Sequence, residues 1–333
     1  MSDTELIRIT AALTSLAPTL GGDTVTGVQR LTGGASLQTW RFTLQTSAGD
    51  KTLILRRRAA PALAAAPALP LATEAALLRL AHTAGVPVPR VRHVPAATDD
   101  LGEALIVDFV AGETLGRRIV AGPAFAEIRP HLGQQAGTAL ARIHAIPPAA
   151  IPGLPHLSAA DTLARYEQIH RRIGAVRPVL EAAFRWLAEP ASDTGPTALL
   201  HGDFRTGNLM IDPTDGITAV LDWELAHTGE PAEDIGWLMV NSWRFGVTDK
   251  PVGGFCELTN LLAAYEQAGG TPPPIPRIRF WQALGSLKWA TMCLMMFESH
   301  ASDTEPSLER AMIGRRVSEC EADLLTLMDP SVC

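Results

Sequence analysis

His201-Gly202-Asp203-Phe204-Arg205-Thr206-Gly207-Asn208 sets a carboxylate and an amide five residues apart in a stretch with two glycines. The chain then runs through Leu209-Met210-Ile211, a polar Asp212-Pro213-Thr214-Asp215-Gly216, and Ile217-Thr218-Ala219-Val220-Leu221 to Asp222-Trp223-Glu224. Two short apolar runs around Pro-Thr-Asp-Gly spell a β-hairpin. With the turn centred between Thr214 and Asp215, facing residues have numbers that sum to about 429. Asn208 then faces Leu221, and Asp222 emerges beside it, while Asp203 sits on a tight loop eased by Gly202 and Gly207. Two carboxylates and an amide oxygen converge. An amide and a carboxylate oxygen suit Mg²⁺, which takes hard ligands and keeps waters or phosphates in its shell. A carboxylate off the metal can orient a hydroxyl and accept its proton. That is the division of labour in kinase phosphoryl transfer. Asp and Asn alone are ordinary turn residues. It is the joint pattern of His-Gly-Asp, Asn, hairpin and Asp-Trp-Glu that points to chemistry.

His201-Gly-Asp203-Phe-Arg-Thr-Gly-Asn208 with Leu221-Asp222-Trp-Glu224 resembles the aminoglycoside phosphotransferase family, protein-kinase-like enzymes that phosphorylate small-molecule hydroxyls. Gly229-Glu-Pro231-Ala-Glu-Asp234-Ile-Gly236-Trp237 extends the likeness toward the kinase-like domain of some acyl-CoA dehydrogenases. The resemblance implies an α+β, bilobal protein-kinase-like fold: a small antiparallel sheet in a nucleotide-binding lobe, 1–111, and a mainly helical lobe, 112–333, with the catalytic loop and substrate site. It implies Asp203 as catalytic base, Asn208 and Asp222 as Mg²⁺ ligands, and Asp234 as a brace for the catalytic loop. His201 shapes the loop, and Glu224 is within reach of the metal or the substrate.

The same resemblance implies a nucleotide site in the front half, with ATP or GTP as co-substrate. Gly33, Gly34 and Ser36 lie in a turn between two strands, where glycine lets backbone N–H groups approach phosphate. In Leu53-Ile54-Leu55-Arg56-Arg57-Arg58, strand period puts Ile54 and Arg56 on one face, to cover the base and reach the phosphates. Arg stands where kinases carry Lys, and Arg58 shares its parity. Glu74 opens a helix, as a partner for Arg56 or as an acid favoured by the helix dipole. The backbone of Asp108, Phe109 and Val110 is the candidate hinge for the purine.

These residues need elements to hold them. Apolar spacing predicts a helix over 4–17, strands over 25–31, 39–44, 52–56 and 104–110, and a helix over 73–84. Ala59–Leu71 is an Ala/Pro-rich connector. Further on, helices are expected over 127–145, 159–174, 178–188, 232–243, 255–268, 277–299 and 304–328. The stretch 277–299 is apolar on most sides, which suits a core helix. With Trp237, Trp243 and Phe245 it also offers a wall for an apolar substrate.

The 333 residues, 47% apolar and 19% charged, suffice for a sizeable core. A net charge of −7 argues against a nucleic-acid coat. The charge is uneven: residues 201–333 hold nine basic and nineteen acidic side chains. Four scattered cysteines form no CxxC pair. No long uninterrupted apolar run suggests a membrane span, and the start does not read as a signal peptide, so a cytoplasmic setting is expected. The partners expected are a nucleotide and a small hydroxylated acceptor, without nucleic acid or membrane. A hydroxylated metabolite or hydroxyacyl thioester is favoured over an aminoglycoside. Two other readings compete: a nucleotide-binding pseudokinase serving as an interaction module, and a metal-dependent hydrolase using His201, Asp203 and Asp222.

Overall fold

The computed structural model describes residues 3–31, 37–58, 69–192, 195–304 and 306–329. The chain divides into two compact units: Met1–Gly112 with Thr218–Leu225, and Glu113–Ile217 with Ala226–Cys333.

The first unit is an antiparallel sheet with two helices. Helix α1 (Asp3–Leu16) precedes β1 (Thr24–Leu31), β2 (Gln38–Gln45) and β3 (Lys51–Arg57). Helix α2 (Leu71–Thr83), β4 (Val91–His93) and β5 (Ala104–Asp108) follow. The strand order is β1-β2-β3-β5-β4. Trp40 pairs with Leu55 across β2 and β3, and Leu55 with Ile106 across β3 and β5. Period-2 alternation sends Trp40, Phe42 and Leu44, with Leu53 and Leu55, into one core against Ile9, Leu13 and Leu16 of α1. On β3 the same alternation leaves Ile54 and Arg56 half-buried on the opposite face. Register, rather than either side chain alone, thus aims Arg56.

Helix α2 lacks a side-chain N-cap of its own. The Glu103 carboxylate supplies one from a distance, accepting from the Leu71 amide at 2.6 Å. Leu71, Ala75 and Leu78 form the buried stripe of α2, and Glu74 lies within it.

The second unit is mainly helical. It contains α3 (Gly116–Ala121), α4 (Arg129–His144), α5 (Ala159–Ile173), α6 (Pro178–Ala188), α7 (Ala232–Leu238), α8 (Leu258–Gln267), α9 (Ile275–Ala301), α10 (Leu308–Gly314) and α11 (Val317–Met328). Short strands β6 (Ala198–Leu200) and β9 (His227–Gly229) pair antiparallel. Strands β7 (Leu209–Asp212) and β8 (Gly216–Val220) form the expected hairpin ladder. Its turn is fixed by Asp212, whose Oδ1 accepts from the amides of Thr214 and Asp215 at 2.7 and 3.1 Å. Helix α9 is the core helix: residues from Ile278 to Leu294 are largely buried. Gly236 of α7 lets it come close, since a Cβ there would lie 2.7 Å from the Gln282 amide nitrogen.

Some boundaries differ from expectation. The helix expected over 304–328 starts later, at Leu308, because Pro306 cannot sit in its interior, and it is two helices, α10 and α11, divided after Gly314. The helix expected over 232–243 ends at Leu238, and Asn241–Arg244 is a separate tight turn. Strand β5 stops at Asp108, two residues before the expected end. No described helix is long and apolar enough to cross a membrane.

Candidate active site

The loop after β6 carries the first group of predicted residues. Pairing with β9 delivers the chain to His201, and Asp234 of α7 then takes hold of it. The Asp234 carboxylate accepts from the amides of His201 and Gly202 at 2.8 and 2.9 Å. His144 Nε2 lies 3.2 Å away on the same carboxylate. Asp234 is fully buried, and burial alone would raise its pKa. The hydrogen bond and charge of His144, with His201, outweigh that and hold the carboxyl below the ordinary aspartate range. Gly202 has φ +79°, a left-handed conformation that suits glycine.

Asp203 follows on the bend. Its Oδ1 accepts from Trp237 Nε1 at 2.7 Å and Arg205 Nε at 3.1 Å, and its Oδ2 from Asn208 Nδ2 at 2.6 Å. Its amide donates to His201 Nδ1 at 3.2 Å, so the histidine shapes the loop. Asn208 Nδ2 also donates to the Asp203 carbonyl oxygen at 2.9 Å. Both donor bonds of the amide are thereby directed at Asp203, and Asn208 Oδ1 has no hydrogen bond among the described residues. Thr206 ties the loop down through the carbonyls of Trp243 and Gly253 at 3.2 and 3.0 Å. The Arg205 guanidinium stacks 4.8 Å from the Trp243 ring centre.

The first unit carries the second group. Arg56 Nη1 pairs with Glu74 Oε1, and Arg56 Nη2 with Asp222 Oδ1 at 3.0 Å. Burial alone would lower the proton affinity of this guanidinium. The carboxylates of Glu74 and Asp222 outweigh it, so Arg56 stays charged. Asp222 itself adopts φ +65°. A non-glycine residue in that region is held there by its surroundings, and such positions cluster at functional sites. Arg58, the rival at the same parity, turns elsewhere: its Nε meets Glu103 Oε2 at 2.8 Å. The main-chain oxygen of Glu224 accepts from the Leu69 amide at 3.0 Å.

At the candidate hinge the backbone is partly committed. The amides of Asp108 and Phe109 donate to the carbonyls of Arg90 and Thr52 and are not spare for a purine; the expectation for these two concerns their backbone as a whole, carbonyl oxygens included. Val110 is the remaining candidate donor. The Asp108 side chain is gripped by Arg92 at 2.5 and 2.7 Å, and Arg41 lies 4.9 Å from the Phe109 ring centre. Gly33, Gly34 and Ser36, and most of the Ala/Pro connector, lie outside the described residues.

Trp237 as a partner of Asp203 was not foreseen. The signal was present: Asp234 and Trp237 are three apart on one helix, hence on one face. Among the described residues no group of three His, Cys, Asp or Glu is arranged to hold a metal.

Comparison with known proteins agrees with this picture. Over 127 residues, 34% of this chain, the sequence is 32% identical to acyl-CoA dehydrogenase family member 11 of Gallus gallus, and the match spans 16% of that protein. The match thus covers a small part of that relative's length. Among solved structures, a candidate aminoglycoside phosphotransferase from Ralstonia eutropha superposes with a TM-score of 0.71 at 22% identity, covering 94% of this chain and 95% of that one. A choline/ethanolamine kinase family protein from Mesorhizobium loti gives 0.67 at 22% identity, covering 99% and 96%. At these identities the structures speak for the fold. The family model for the phosphotransferase enzyme family, APH, matches residues 27–281, and the chain belongs to that family.

Proposed function

We propose that this phosphotransferase moves the γ-phosphate of ATP or GTP to the hydroxyl of a small-molecule acceptor, with Mg²⁺. The observation that carries the reading is Asn208. One side chain ties the Asp203 carboxylate through Nδ2 and keeps a hard oxygen, Oδ1, unspent. Asn208 Oδ1 and the Asp222 carboxylate would hold the metal, which when bound neutralises charge on the phosphates.

Asp203 accepts a hydrogen bond from the acceptor hydroxyl and then its proton. Trp237, Arg205 and Asn208 fix the direction of its oxygens, so the base costs little reorganisation as the reaction proceeds. The hydroxyl oxygen forms a bond to the γ-phosphorus, the bond to the β,γ-bridging oxygen breaks, and the nucleoside diphosphate leaves. Arg56, kept charged by Glu74, binds the phosphate tail. By the resemblance, Gly33, Gly34 and Ser36 would have the role of covering it, and Ile54 with the Val110 amide would receive the base.

The test is nucleotide-dependent transfer to a library of hydroxylated metabolites, hydroxyacyl thioesters and aminoglycosides, with D203N alongside. D203N is expected to lose turnover by roughly 10²–10⁴-fold while keeping nucleotide affinity. Full turnover in D203N overturns the base assignment. Nucleotide binding with no transfer to any alcohol replaces the enzyme with a pseudokinase.

A further inference from the structure

Arg205 is tied to the catalytic loop by only part of its guanidinium. Its Nε donates to Asp203 Oδ1 at 3.1 Å and reaches Oδ2 at 3.3 Å. Nη1 and Nη2 make no hydrogen bond among the described residues. The guanidinium carbon lies 4.8 Å from the Trp243 ring centre, and the Trp243 carbonyl accepts from Thr206 of the same loop at 3.2 Å. The fork is thus fixed at Nε and laid on an indole, with most of its N–H donors unspent. The side chain is 27% exposed, so a ligand can reach those donors.

A glycine makes room for the unspent end. Gly207 lies in the short helical turn Thr206–Asn208 and has no positive φ, so its backbone conformation does not call for glycine. The guanidinium does: a Cβ on Gly207 would collide with Arg205 Nη1. The next residue is Asn208, whose Nδ2 donates to Asp203 Oδ2 at 2.6 Å. Arg205 therefore runs from the carboxylate proposed as base toward the backbone beside the amide proposed as metal ligand. All of these residues belong to one compact unit.

We propose that Arg205 is a second catalytic residue, whose Nη donors bind the non-bridging oxygens of the phosphoryl group during its transfer. This rests on the phosphotransfer reading above. A hydroxyl hydrogen-bonded to Asp203 is one contact away from the carboxylate that Nε holds, so the phosphorus it attacks passes the Nη end of the fork. The hydroxyl oxygen bonds to the γ-phosphorus, and the bond to the bridging oxygen breaks. Its electron pair leaves with the nucleoside diphosphate, and the hydroxyl proton ends on Asp203. As Asp203 takes that proton it loses the charge that faced Nε, and the guanidinium is left to the phosphoryl oxygens. The contact is then stronger in the transition state than in the ground state, which is the condition for raising a rate. Arg205 makes and breaks no covalent bond.

The experiment uses the full chain and no acceptor alcohol. Calorimetry measures Mg-ATP, and Mg-ADP with and without aluminium fluoride, an anion that mimics the phosphoryl group during transfer. The wild type is expected to bind Mg-ADP about 100-fold more tightly with the fluoride. R205M is expected to lose about tenfold or more of that gain while binding Mg-ATP nearly as the wild type does, and R205K to recover part of it. G207A, which displaces Nη1 and spares Nε, should fall between. D203N should keep the gain, because Asp203 meets the hydroxyl and not the phosphoryl oxygens. An R205M or G207A variant that melts normally and keeps the whole gain overturns the proposal and leaves Arg205 as a support for Asp203. So does a gain lost alike in D203N and R205M, or a wild type that binds Mg-ATP but gains nothing from the fluoride. A wild type that binds no Mg-nucleotide removes the phosphotransfer reading and this one with it.

Discussion

Arg56 and Asp203 are both charged groups held in place by neighbours, but by opposite means. Arg56 is fixed by counter-ions, Glu74 from a helix and Asp222 from the end of a hairpin. Asp203 is fixed by donors: an indole, an amide and the guanidinium of its own loop. The first arrangement stabilises a buried charge, so removing a partner leaves that charge under-compensated. The second sets a direction, so its loss is felt in chemistry before it is felt in folding. The comparison teaches where stability and activity come apart in this molecule.

The sharpest way to break it is to exchange one carboxylate for its amide in each region. E74Q deprives Arg56 of a fully buried counter-ion and is expected to cost about 3–5 kcal/mol of unfolding free energy. D203N replaces one accepting oxygen by a donor in a part-buried site, and is expected to cost less, about 1–2 kcal/mol, while abolishing most turnover. Urea unfolding of the two variants side by side checks this. Similar losses of stability would mean that Asp203 is as structural as Glu74.

Asp234 is the intermediate case, a carboxylate inside the second unit that does structural work for the loop. D234N is expected to cost about 2–3 kcal/mol, since an amide cannot accept equally well at both oxygens from the His201 and Gly202 amides. The pH dependence has a definite sign. The folded pKa lies below the unfolded one, so the stabilisation is complete above the ordinary aspartate range near about 4. It is lost as pH falls through the depressed folded value. Wild-type unfolding free energy, measured from neutral pH into acid, should therefore fall more steeply than that of D234N. Parallel curves would assign the bracing to His144 rather than to the charge on Asp234.

The hairpin and its loop were legible because their signals are local: an Asp212 turn, two glycines and two short apolar runs. Strands β4, β6 and β9, each three residues long, are too short to show a period. The pairing of Glu74 with Arg56 was one of two readings of Glu74, and the structure makes that pair; what the sequence did not settle is which arginine reaches inward. Arg56 and Arg58 share a face of β3, and what separates them is Glu103, nearly fifty residues on, which takes Arg58 and the Leu71 amide together. The contact between Trp237 and Asp203 is similarly long-range. It depends on α7 packing against α9 through Gly236, which no helical period announces.

The smallest expected effect tests that same division of labour on β3. The Arg58–Glu103 pair is partly open to solvent, and such pairs contribute about 0–1 kcal/mol. R58A should therefore shift the unfolding free energy by no more than about 1 kcal/mol and leave nucleotide affinity close to wild type. R56A, by contrast, removes the guanidinium assigned to the phosphate tail. It should weaken nucleotide binding about tenfold or more, the scale of one charge-assisted hydrogen bond. Titrating ATP and GTP into both variants by calorimetry reads the difference directly. Equal losses of affinity would mean that Arg58 leaves Glu103 when nucleotide arrives, and that the two arginines share the phosphates.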